Sequence, residues 1–298
     1  MKANLSKNPK KKIKVTAIVG PTASGKTAFA VQYAKEHNGE IISADSRLVY
    51  KGFDIGTAKP TEEERQGIPH HLIDIIEPEN DYSAFQYVKD AERAVFDVFS
   101  RDKLPVITGG TGLYLKSLLE GYDFPEMNTD YQLRKDLYKL NTEELYKKLQ
   151  KLDFATAEKI EKNDKKKIIR SLEIIILLKK PLSEINKRKE IPYDVEWIGL
   201  NYPRHELYER INKRVDLMIE KGLVEETESL LQKHGAVPNL VNTIGYHEIT
   251  EYLNGIYTLE KAVEILKQNT RNYAKRQLTW FRKNNAIKWN FYPEKLKK

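Results

Sequence analysis

The stretch GPTASGKTAF, residues 20–29, sets two glycines five apart and follows them with Lys26 and Thr27. This is the spacing of a phosphate loop. Its backbone N–H groups converge on an anion, and the next helix presents its positive end to the same point. The lysine adds a mobile cation, and the Thr hydroxyl commonly ligates Mg²⁺. Average residue usage gives a chance match in a chain this long a probability of roughly one in a hundred. The flanks lower it further. KVTAIVG (14–20) is apolar and β-branched and stops at the loop, while KTAFAVQYAKEHN (26–38) has helical spacing. The order is strand, phosphate loop, helix. On these residues alone the loop binds a polyphosphate, with ATP the usual ligand.

The unit recurs outward from there. EIISADS (40–46) reads as a second strand ending on Asp45, and SAFQYVKDAERAVFDVFSRD (83–102) as an amphipathic helix. LPVITGGTGLYLKSLLEG (104–121) is again buried strand, glycine turn and helix. Strands alternating with helices imply an α/β fold with a doubly wound parallel sheet. Residues 47–80 are mixed and are expected to loop over the sheet edge. From 124 to 190 the pattern becomes short Lys-rich helices, taken as a helical insertion. DVEWIGL (194–200) returns as a strand, two long helical patterns follow at 203–222 and 258–284, and AIKWNF (286–291) suits a last strand. The expected organisation is a core of 13–123 and 191–298 with an insertion at 124–190.

Composition narrows the partners. Lys and Arg number 51 against 43 acidic residues, a formal charge of +8 over 298 residues. That excess favours an anionic partner such as nucleic acid or polyphosphate, and equally suits a merely soluble surface. The absence of cysteine excludes disulfides, thiol catalysis and Cys-based metal centres. The basic start MKANLSKNPKKKIK (1–14) lacks the apolar segment of a signal peptide, and the longest apolar run, IIILL at 174–178, is too short to span a bilayer. The expectation is a cytoplasmic protein, not membrane-bound, with a short disordered N-terminal tail.

Other residues offer chemistry in two ways each. Asp45 at a strand end suits a metal ligand, a general base or the cap of a turn. TGGTGLY (108–114) ends its strand without the acid that a water-activating ATPase uses, and Thr111 there offers a neutral hydrogen bond. Arg210 and Arg214 share a helix face, within reach of a diphosphate or of Glu206 and Glu209. In TRNYAKRQLTWFR (270–282), basic residues interleave with aromatics, which suits nucleic acid or a helix packed on the core. The six histidines show no metal-ligand spacing, and capping or other ordinary polar roles are expected for most.

GPTASGKT, ISADS, YKGFDIGTAKP, PHHLIDI, TGGTGLY, NTIGYHE and TRNYAKRQLTWFR occur in this order. Together they resemble the bacterial tRNA dimethylallyltransferases (tRNA isopentenyltransferases), over roughly residues 14–289. The resemblance implies transfer of a dimethylallyl group from dimethylallyl diphosphate to N6 of adenosine 37, beside the tRNA anticodon, with release of diphosphate. It implies a phosphate-loop core and helical insertion with a channel between them. The loop would then hold the prenyl donor's diphosphate, through Gly20, Thr22, Ala23, Ser24, Gly25, Lys26 and Thr27, with Mg²⁺ on Thr27. Asp45 would take an N6 proton, and Lys26, Thr111 and Arg214 would stabilise the leaving group. The anticodon stem-loop would touch Asp45, Ser46, Arg47 and Leu48, and Lys166, Lys167 and Arg170 of the insertion. It would also touch Asn242, Gly245, His247, Arg271, Lys275 and Arg276. A monomer is expected. Three other readings compete: prenylation of free AMP, an ATP-using small-molecule kinase, and an RNA-binding protein with a vestigial nucleotide site. The Lys-rich insertion and the 270–282 helix speak against the first, and a Lys-rich insertion where a kinase would carry an Arg-rich lid speaks against the second.

Overall fold

The computed structural model describes residues 12–122, 127, 130–185 and 189–291. The N-terminal tail expected to be disordered lies largely outside them. The chain divides into two compact units, residues 120–190 and the remainder.

The larger unit is built on one sheet. Its strands are β1 (Ile13–Val19), β2 (Gly39–Ser43), β3 (His70–His71), β4 (Leu104–Gly109), β5 (Tyr193–Asn201) and β6 (Lys288–Phe291). They lie in the order β3-β2-β4-β1-β5-β6, and each neighbouring pair is parallel. β1 is central and buried on both faces, as its near-continuous apolar run requires. Alternate residues serve opposite faces. Val15, Ala17 and Val19 join Ile42 and Ile107 in one cluster, while Ile18, Ile41 and Val106 join another. The first is covered by α3 (Ala84–Ser100) and α4 (Gly112–Leu119), the second by α1 (Lys26–Glu36) through Ala30, Val31 and Ala34. The segment after β2 does more than skirt the edge: past the short α2 (Glu62–Arg65) it supplies β3, with His70 opposite Ile41.

The described residues of the smaller unit form α5 (Tyr131–Lys139), α6 (Thr142–Leu152), α7 (Phe154–Ala157), α8 (Lys165–Leu178) and α9 (Leu182–Ile185). Their apolar stripes close on Leu145, Leu149, Ile168 and Leu172, all fully buried.

After β5 the core continues through α10 (Arg204–Glu220), α11 (Leu223–His234), α12 (Pro238–Val241), α13 (Tyr246–Leu253) and α14 (Leu259–Phe281). These helices form a second core with Val49, Tyr50 and Phe53 of the loop after β2. Glu226 of α11 anchors that loop, accepting the Ile55 and Gly56 N–H groups at 2.8 and 3.0 Å and the Tyr246 hydroxyl at 2.6 Å.

Candidate active site

Because β2, β4 and β1 are neighbours, the turns at their carboxyl ends meet: 44–48, 109–112 and 20–25. Ligands of open α/β sheets bind at this edge. Ala44 N–H donates to Thr108 at 2.7 Å and Thr111 N–H donates to Ala44 at 3.1 Å. A Cβ at Gly109 would collide with the Ala44 carbonyl, so glycine is what lets these two turns touch.

The phosphate loop is held from two later helices. Thr22 N–H donates to Oε1 of the buried Gln277 at 2.8 Å, while Gln277 Nε2 donates to Gly110 O at 3.0 Å. One α14 side chain therefore ties the loop to the TGGTG turn. Arg210 of α10 donates through Nε to Ala23 O at 2.9 Å and stacks over Tyr202 at 4.4 Å. Gly25, at φ +82°, opens α1, and the Lys26 ammonium donates to Pro21 O at 2.6 Å. The Ser24 hydroxyl is buried with no protein partner.

A cavity of about 410 Å³ lies at this edge, walled by Thr22, Lys26, Thr27, Asp45 and Arg214 among others. All of its lining residues belong to the larger unit. Burial drives the Lys26 ammonium down to about 7; the Arg214 charge pushes the same way and Asp45 opposes both. Burial likewise lowers the Arg214 guanidinium, against the pull of Asp45 and Glu64. Arg214 donates to Thr57 O at 3.2 Å. Two cations are thus held close together with no carboxylate of the described residues hydrogen-bonded to either, a site that favours a bound anion. A second cavity, of about 710 Å³, flanks the loop and shares Lys26, Thr27, Ala58, Arg214 and Met218 with the first.

Of the three readings of Asp45, the structure shows the cap directly and places the side chain where a ligand could reach it. Oδ1 caps its own turn by accepting Arg47 N–H at 2.8 Å, and the side chain also lines the cavity. Thr111 does not line it. Its hydroxyl accepts Ser46 N–H at 3.0 Å and so braces the turn that carries Asp45. Neither Arg210 nor Arg214 pairs with Glu206 or Glu209.

The residues matched to RNA contact are spread out. Ser46, Arg47, Leu48, Asn242 and Arg276 line the first cavity with Asp45. Gly245, at φ +102°, passes against Gly56 and donates its N–H to Glu248 at 2.8 Å. His247 and Lys275 are exposed, and Arg271 donates to Asn212 at 2.7 Å. In the smaller unit Lys166 is exposed, Lys167 pairs with Asp164 at 2.7 Å and Arg170 with the buried Glu173 at 2.8 Å. On α14 the two sequence readings divide by face: Ala274, Gln277 and Phe281 are buried, whereas Lys275, Arg276 and Trp280 are exposed.

Sequence reasoning missed Gln277 as the bridge between the two glycine turns, because no local pattern links it to Thr22. It also missed the grouping of Glu77, Glu79 and His234, which lies outside both cavities. There Glu79 is bound to His234 at 2.6 Å and Glu77 to Lys51 at 2.8 Å. No described helix is long and apolar enough to cross a membrane.

Comparison with known proteins agrees with this geometry. The family model described as IPP transferase matches residues 48–284, and one described as isopentenyl transferase matches 13–77. A tRNA dimethylallyltransferase of Pelotomaculum thermopropionicum is 47% identical over 286 residues, covering 94% of this chain and 91% of the relative. One from Caldanaerobacter subterraneus subsp. tengcongensis is 48% identical over 292 residues, covering 94% and 92%. Among solved structures, the tRNA isopentenylpyrophosphate transferase of Bacillus halodurans is similar at TM-score 0.71 and 41% identity, covering 94% of this chain and 90% of that one. A eukaryotic dimethylallyltransferase acting on tRNA is similar at TM-score 0.82 and 30% identity, covering 94% and 74%. With its phosphate loop, its parallel sheet and relatives matched over nearly their whole length, the chain belongs to the IPP transferase family.

Proposed function

We propose that this chain is a prenyltransferase that moves a dimethylallyl group from dimethylallyl diphosphate to N6 of adenosine 37 in tRNA, releasing diphosphate. The observation that carries the reading is the pair of cavities that share Lys26, Thr27 and Arg214. One runs past Asp45 and the other flanks the phosphate loop. Two substrates can then meet at the shared residues, as a direct transfer requires.

The C1–O bond of the allylic diphosphate breaks, and C1 bonds to N6. The N6 proton passes to the Asp45 carboxylate, which helps because an exocyclic adenine amine is a poor nucleophile. The departing diphosphate carries the negative charge that builds up. Lys26, the loop amides, the Thr27 hydroxyl and Arg214 stabilise it, as groups already aimed at the place where charge develops. Thr111 is a positioning residue, acting through Ser46 on the turn that carries Asp45.

Mg²⁺ fits this donor set. The Thr27 side chain lies on the wall of both cavities, and hard oxygen donors with phosphate are what this ion takes. Thr27 would hold it beside the diphosphate, where it would offset negative charge. The target base must leave its stack to reach Asp45. Arg47 and Arg276 at the cavity and the lysines of α8 suit backbone phosphates, which position RNA without reading its sequence.

Purified protein with Mg²⁺, unmodified tRNA and labelled dimethylallyl diphosphate tests the proposal, with free AMP as alternative acceptor and ATP as alternative donor. Label in tRNA alone is expected. Label in AMP would reassign the acceptor, and ATP turnover without label would overturn the reading.

A further inference from the structure

Two polar side chains on the wall of the Asp45 cavity have no hydrogen-bond partner among the described residues. The Ser43 hydroxyl belongs to a residue 3% exposed, and Nε2 of His70 is likewise buried. Buried polar atoms are nearly always paired, and leaving one unpaired costs about 1–3 kcal/mol, so each such atom calls for an explanation. The two share a wall for a geometric reason. His70 sits opposite Ile41 in the parallel β2–β3 pair, and residues in register face the same side. Ser43 follows Ile41 by two along β2 and faces that side as well.

The hydrogen-bond character of His70 follows from its other nitrogen. Nδ1 lies 2.8 Å from the Ile68 carbonyl, which can only accept, so Nδ1 carries the proton. Nε2 is then a bare lone pair that requires a donor. Burial lowers the affinity of His70 for a second proton. Arg65 and His71 act the same way, against the Ile68 bond and Glu62, so the lone pair persists at neutral pH.

The substrates of the proposed transfer differ in what they can offer such an atom. An ionised diphosphate and a dimethylallyl chain have no N–H or O–H. An adenosine within an RNA chain has two N6 hydrogens, of which the proposed Asp45 contact uses one, and its ribose 2′-hydroxyl. We propose that His70 is a nucleoside-binding residue, its Nε2 accepting a hydrogen bond from an N–H or O–H of the target adenosine, with the Ser43 hydroxyl a second polar contact on the same wall. This inference rests on the proposed function and adds a residue to its acceptor side.

The test is steady-state transfer by the full chain over both substrates, with RNA affinity followed separately by fluorescence anisotropy. His70→Leu is expected to raise KM for tRNA about tenfold, with KM for dimethylallyl diphosphate and Tm unchanged. His70→Gln, whose Oε1 sits near the place of Nε2, is expected to recover most of that loss and serves as the folding control. A wild-type KM for tRNA in His70→Leu, beside a wild type that transfers normally, overturns the inference and leaves the proposed function standing. So does a change confined to the donor KM or to the Mg²⁺ requirement, which would make a metal-bound water the partner of Nε2. A wild type that transfers nothing to RNA removes the reading beneath it.

Discussion

Glu173 of the smaller unit is a fully buried charge and Lys26 of the core a half-buried one, and they are treated in opposite ways. Around Glu173, Arg134 closes at 2.9 Å, Arg170 at 2.8 Å and the Asp130 N–H at 3.1 Å. Asp153 in the same unit accepts from the N–H and the hydroxyl of both Thr156 and Ser183. Burial works against its ionised form, yet these bonds outweigh it and hold the carboxyl below its usual range. Lys26 reaches one carbonyl, stands near a second cation, and is pushed down by burial. A charge that only shapes the fold comes with its partners, since an unpaired one would cost several kcal/mol. A charge kept without them is held for something that arrives later.

This contrast can be broken at several points. The largest effect is expected for Asp45→Asn, which keeps an oxygen for the Arg47 N–H and removes the negative charge. Turnover should fall about 10²–10⁴-fold with RNA affinity retained. Near-normal single-turnover rates would show that Asp45 only shapes its turn.

Lys26→Met should lower kcat/KM for the donor on the order of 100-fold. Its pH behaviour sharpens the point. With a folded pKa of about 7 against 10.5 in the free residue, the native state gives up this proton first. Donor affinity of the wild type should therefore fall as pH rises past about 7, and in Lys26→Met that dependence should vanish. Stability has the opposite sign. Below about 7 the burial cost is fully present, and it is relieved as pH climbs toward 10.5, because the unfolded chain holds the proton longer. Urea midpoints measured across that window should rise in the wild type relative to the variant.

Glu173→Gln should leave the chemistry of the core alone and lower stability by about 2 kcal/mol, read from urea unfolding. The value sits below that of a fully buried pair because Arg134 and Arg170 are 33% and 42% exposed and can hydrate. Smallest is Lys167→Ala, on a surface ion pair. RNA affinity should drop about two- to threefold and the slope of its salt dependence by about one. An unchanged slope would take Lys167 out of the phosphate contacts.

What could be read in the sequence was what is local. The phosphate loop, the strand ending near Asp45 and the TGGTG turn are short patterns, and the parallel sheet follows from their alternation. The edge strand at His70–His71 was hidden because two residues carry no periodicity. The helix Leu223–His234 contains Glu226, whose part in anchoring the 50–60 loop depends on residues far back in the chain. The bond from the Ser46 N–H to the Thr111 hydroxyl was hidden as well, since it appears only once β2 and β4 lie side by side.

The central position of β1 also bears on how the molecule is made. β1 is synthesised well before one of its two neighbours, β5, Tyr193–Asn201. At ordinary synthesis rates of about 5–20 residues per second, β1 waits on the order of ten seconds or more for its second partner. During that wait one apolar strand edge stays open. Residues 120–190 meanwhile find the partners of their own buried cluster nearby in sequence, and local contacts form fastest. The nascent chain thus completes its smaller unit while the sheet is still half built, which makes the stretch before Tyr193 the period when chaperone protection of the β1 edge counts most.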